Sequence, residues 1–115
     1  EIKTIEGGKE IDRFVRFPWQ IYKDDPFWVP PLIRDVKFKL DRSRHPFFDH
    51  ARMALFTACR GGRLLGRTAA VVDERHNQFH DEHMAFFGMF ECVNDVQVAG
   101  KLMQAAAAWL KKNGV

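Results

Sequence analysis

The sequence predicts an α/β domain of the α+β kind, a mainly antiparallel sheet flanked by helices. Three observations carry this expectation. Two β-prone runs, ARMALFTACR (51–60) and RLLGRTAAVVD (63–73), are joined by Gly61–Gly62, the type of two-residue link that closes a tight hairpin. A third run, HMAFFGMFECV (83–93), is apolar on both faces, as a strand lying centrally in a sheet would be. Finally, Ala99, Leu102, Met103, Ala106, Trp109 and Leu110 form one apolar stripe at helical spacing.

Taken in order, IKTIE (2–6) alternates apolar and polar residues before Gly7–Gly8, which reads as a short strand and a turn. From Lys9, the apolar positions Ile11, Phe14, Val15, Pro18 and Ile21/Tyr22 have helical spacing. Pro18 lacks a backbone donor and is expected to kink or break that helix near its middle. The three prolines of DDPFWVPPL (24–32) enforce extended structure, because each also restricts the residue before it. A short helix is expected from about Leu32 to Leu40, then a loop through RSRHPFFDH. The polar stretch 74–83 reads as a second loop. Gly88, inside the third strand, predicts a bulge or a close backbone approach. Asn94 with Gln97 three residues later has the form of a capping box for the last helix. Lys111 and Lys112 suit its C-terminal dipole, and Gly114 ends it.

Length and composition narrow the function classes. A chain of 115 residues fits one small domain, and 46% apolar with 29% charged residues describes a globular protein. The net charge of +3 comes from cations spread among carboxylates, which does not make a nucleic-acid footprint. No window approaches 18 apolar residues and the start lacks a signal-peptide pattern, so no membrane partner is expected. Cys59 and Cys92 sit in apolar stretches, without a CxxC pair, which points to a reducing, cytoplasmic compartment. His76, His80 and His83 with Asp81 and Glu82 have some of the residue types of a metal cluster. They read more simply as a solvated hairpin connection, and no metal is expected. The rings of FPWQIYKDDPFWVPPL (17–32) line a ligand groove or pack over the sheet, and packing is the plainer reading.

The longest motifs are FPWQIYKDDPFWVPPL (17–32), HPFFDHA (45–51), GRTAA (66–70), HNQFH (76–80) and AFFGMFECVND (85–95). Together they resemble a group of uncharacterised bacterial GNAT-like proteins, and the element order resembles the N-terminal half of the GNAT acyl-CoA N-acyltransferase fold. The resemblance implies a single domain over 1–115 that stops before a further strand. Without that strand, 83–93 is an apolar edge, expected to pair with a second copy as a homodimer. It also implies acyl transfer from acetyl-CoA or a related thioester to an amine that the sequence does not name.

In that family the pyrophosphate sits on a glycine-containing loop at the start of this helix. The loop maps onto the segment after the strand, with Cys92, Val93, Asn94, Gln97, Val98 and Ala99 as the cofactor-binding candidates. The loop departs from the family pattern: only Ala99 matches, Gln97 stands at a glycine position, and Asp95 puts a negative charge where phosphates would lie. Glu82, His83 and Glu91 are the candidates for the general base, at the two ends of the apolar strand. The alternative is a non-catalytic GNAT-like module that binds a ligand or a partner chain.

Overall fold

Among the described residues, four strands form one antiparallel sheet in sequence order: β1 (Ile2–Ile5), β2 (Ala51–Arg60), β3 (Arg63–Asp73) and β4 (Phe86–Cys92). A computed structural model describes residues 2–5, 8–41, 43–80 and 84–113. The helices are α1 (Gly8–Tyr22), α2 (Ile33–Lys39), α3 (Glu74–His80) and α4 (Val96–Lys112), with a 3-10 turn at Pro46–Asp49. Gly7 and Gly114, read above as a turn and a helix stop, lie outside the described residues.

The alternation of side chains along a strand explains the layering. Ala54, Phe56 and Ala58 of β2 with Ala70 and Val72 of β3 face Val98, Leu102, Ala106 and Leu110 of α4. The interleaved residues Leu55 and Ala69 face Phe14 and Val15 of α1, with Leu40 beyond α2. Thus α4 covers one face of the sheet, and α1 with α2 covers the other. At Gly66 the α4 layer comes very close. A Cβ there would lie 2.7 Å from Cδ1 of Leu102, which is fully buried.

The Gly61–Gly62 hairpin forms as expected, with φ of 57° and 81° at the two glycines. The bulge expected from Gly88 is also present. Ala69 pairs with Gly88 and Arg67 with Glu91, so two steps on β3 oppose three on β4. The surplus falls at Met89 and Phe90, and Met89 takes the left-handed φ of 53°, which is uncommon for a side chain of that size.

Several expectations need correction. The 74–80 segment is helical: Glu74 sits in its first turn and His80 in its last, the charge order that a helix dipole favours. The backbone N–H of Glu74 donates to the His50 carbonyl at 2.8 Å, and the Asn77 amide brackets both the N–H and the carbonyl of Met84. A seven-residue helix fixed by tertiary hydrogen bonds leaves no apolar stripe to read. Part of the 42–50 loop winds into the 3-10 turn, capped by His45 Nδ1, which accepts from the Phe47 N–H at 3.0 Å. The α1 helix is not broken at Pro18. Finally, among the described residues β4 borders β3 alone: it is not central but lies at the sheet edge, the other position expected for 83–93, with Phe86, Phe87 and Phe90 each at least 40% exposed.

Candidate functional site

The junction of β4 and α4 collects most of the residues singled out above. Asp95 is the N-cap of α4, and its Oδ1 accepts from the backbone N–H groups of Gln97 at 2.9 Å and Val98 at 3.4 Å. The cap is therefore Asp95, not Asn94. An extended φ of −146° at Asp95 aims its short carboxylate back at the first turn. The consequence for ligands is direct: the amides that a phosphate would need already serve a carboxylate.

Around this cap lies a groove of about 630 Å³, walled by Gln20 and Ile21 of α1, Arg63 of β3, and Cys92, Asn94 and Ala99 among others. The candidate residues divide here. Cys92, Val93, Asn94 and Ala99 line the groove. Val98 turns away into the core beneath α4, only 5% exposed, and Gln97 is exposed to solvent. Burial, with Asp95 nearby, pushes the Cys92 thiol up, so it stays protonated and is a poor nucleophile. A larger cavity of about 830 Å³ lies elsewhere, between α2 and His45. It contains none of the candidate residues.

Glu91 acquires partners that its position in the sequence does not announce. The Tyr22 hydroxyl, near the end of α1, donates to Glu91 Oε2 at 2.5 Å, the length of a charge-assisted O–H···O⁻ bond. That bond raises the Tyr22 pKa above its ordinary value, and burial and the Glu91 charge act in the same direction. Opposite Glu91 in the ladder stands Arg67, a buried cation in the middle of β3. Burial lowers the Arg67 pKa, and Glu91 and Tyr22 counter the shift. A carboxylate, a phenol and a guanidinium thus converge from three elements near the end of β4; they do not line the groove themselves, but their chain neighbours Ile21, Phe90 and Cys92 do. The Tyr22 ring also leans on Trp28 at 5.6 Å, and Trp28 meets Trp19 edge-on at 5.0 Å. Within the aromatic–proline run these rings pack, but Phe27 stands 90% exposed.

Glu82 and His83 lie outside the described residues, as does Asp81 of the histidine-rich stretch. Among the described residues no group of three or more His, Cys, Asp or Glu is placed to share a metal ion. Among them, too, no helix is long and apolar enough to cross a membrane. Tyr22, read above only as one of the rings of the aromatic–proline run, and Arg67 escaped the sequence reading as partners of Glu91. Two signals pointed to them: Tyr22 is the single tyrosine beside 11 phenylalanines, and Arg67 puts a charge in the interior of a strand whose other charges lie at its two ends.

Fold and site together define an α+β domain with a carboxylate–phenol pair beside a groove at a strand end. Among known proteins, the chain is 33% identical over 113 residues to Protein YghO of Escherichia coli (strain K12), covering 98% of this chain and 29% of that protein. It is 37% identical over 111 residues to Bacterial ceramide synthase of Caulobacter vibrioides, covering 96% of this chain and 29% of that protein. The chain therefore spans under a third of the length of the curated relatives it matches. No family model and no solved structure matches it.

Proposed function

We propose that this chain belongs to an acyltransferase of the GNAT-like kind, which moves an acyl group from a thioester, acetyl-CoA or a related one, to an amine. The observation that carries the reading is the Tyr22–Glu91 pair, whose chain neighbours Ile21, Phe90 and Cys92 line the groove. Glu91 is the proton acceptor: an amine that loses its proton to this carboxylate can attack the acyl carbon, forming the C–N bond as the C–S bond breaks, and the proton passes on to the departing sulfur, which leaves as the free thiol. Tyr22 holds the carboxylate in place and stays neutral at physiological pH, so it remains a donor. The relative named a ceramide synthase supports the same class, because a ceramide is an amide of a fatty acid and a long-chain amino alcohol.

A second reading has its own observation. Asp95 occupies the amides at the start of α4, so the residues there do not fit a pyrophosphate. That favours a non-catalytic module which binds a ligand or a second copy through the exposed β4 edge. Isothermal titration of acetyl-CoA and CoA into the purified chain separates the two. Binding, with amide formation from an added long-chain amine that Glu91→Gln abolishes, is the expected result. Absence of binding and of turnover would leave the second reading standing.

A further inference from the structure

Pro18 and Arg67 complement each other. A proline within a helix has no N–H, so the carbonyl four residues earlier, that of Phe14, has no helical donor. Arg67 reaches across from β3 and donates from Nη1 to that oxygen at 2.7 Å, with its guanidinium 4.9 Å from the Phe14 ring centroid. The side chain is 7% exposed, and its Nε has no hydrogen-bond partner among the described residues. A buried cation is costly unless it is matched by acceptors or opposite charge. Here the helix carbonyl left without a helical donor supplies the acceptor, the ring supplies its π-face, and Glu91 of β4, opposite in the ladder, supplies the charge.

We propose that Arg67 is a positioning residue for the Tyr22–Glu91 pair, and that Pro18 is the device that fixes it, by freeing the Phe14 carbonyl as its anchor. The inference concerns the same site as the acyl-transfer reading and rests on it only for the consequence to turnover. A fixed cation opposite Glu91 attracts the carboxylate that accepts from Tyr22 and restrains where it sits.

Tyr22 is the single tyrosine of the chain, so tyrosinate absorbance reports this site alone, without substrate. The groups facing it are Glu91 from β4, Arg67 from β3 and Asp25 from the loop after α1; Glu91 and Asp25 raise its pKa and Arg67 lowers it. Arg67→Gln keeps a donor for the Phe14 carbonyl but removes the charge, and the Tyr22 midpoint is expected to rise. Glu91→Gln should lower it, and Arg67→Lys should return it toward wild type. Circular dichroism at each pH confirms that the fold is native while the titration is read. An unmoved midpoint in Arg67→Gln overturns the positioning role.

The anchor is tested separately at neutral pH. Arg67→Met should lower the denaturant midpoint strongly beside Pro18, and less in a Pro18→Ala background, where the substituted alanine brings its own N–H to the Phe14 carbonyl. Equal losses in the two backgrounds overturn the Pro18 anchor. Should Arg67→Gln not fold beside Pro18, the same titration is run in the Pro18→Ala background. Should both tests succeed while no acyl transfer is found, the positioning stands and the acyltransferase reading falls.

Discussion

At Gly66 one hydrogen atom decides whether α4 can close on the sheet. A methyl group there would crowd the fully buried Leu102, with the Glu91 carbonyl at 3.2 Å and the Cys92 Sγ at 3.3 Å also close. Gly66→Ala is expected to cost about 1–3 kcal/mol by overpacking. Leu102→Ala alone should cost about 2–5 kcal/mol, and the double variant less than the sum, because each change makes room for the other. Chemical denaturation of the four proteins measures that coupling. Asp95 is the other decisive residue. Asp95→Ala should cost the α4 cap about 0.5–2 kcal/mol, whereas Asp95→Asn keeps the cap and removes only the charge. Titration with CoA is then expected to give tighter binding to Asp95→Asn than to the wild type. Equal affinities would mean that any phosphate is held elsewhere.

Between elements, a few polar contacts connect what the apolar layers do not. Asp12 of α1 receives Lys37 of α2 at 2.6 Å and Arg16 at 2.9 Å. The hydrogen bond from Lys37, then that from Arg16, lowers its pKa. A carboxylate depressed in the folded state stabilises the fold above its unfolded value of about 3.9, and that contribution is lost as pH falls through the folded value. Asp12→Asn should therefore flatten the acid side of the stability profile, and salt should shrink the difference because the pair is exposed. Asn77→Ala removes both hydrogen bonds to Met84 and should cost about 1 kcal/mol, with faster amide exchange at Met84 as the readout. The α3 helix that carries Asn77 was not legible in the sequence, since tertiary hydrogen bonds hold it and periodicity does not. Helix α4 was legible almost to its ends, because one face of it is core. Its cap was misplaced by one residue because Asn94 and Asp95 are both good caps, and only the backbone decides which carboxylate or amide faces the first turn.

At the scale of the whole sheet, β4 is an outer strand among the described residues. β4 leaves Phe87 and Phe90 partly exposed, while Ala85 and Cys92 pack partly against the α4 core. An apolar strand at the edge of a sheet pairs readily with another strand. Light scattering on the purified chain is expected to show concentration-dependent dimers, and Phe87→Lys to shift them toward monomer. A monomer at high concentration in both proteins would remove the edge as a self-association surface.

The sequence by itself determined the fold class, the β2–β3 hairpin, the bulge near Gly88 and the α4 stripe, because turn chemistry and periodicity are local and repeat along the chain. It also picked out Glu91, as the carboxylate that ends an apolar strand. Only the tertiary structure decided what Glu91 touches. Tyr22 lies 69 residues away from it and Arg67 lies across the sheet, so no local pattern ties them together. The same holds for Pro18, which reads as a helix breaker until a guanidinium from β3 meets the carbonyl it leaves free. Local rules count the hydrogen bond that a proline removes, and packing decides which distant donor replaces it.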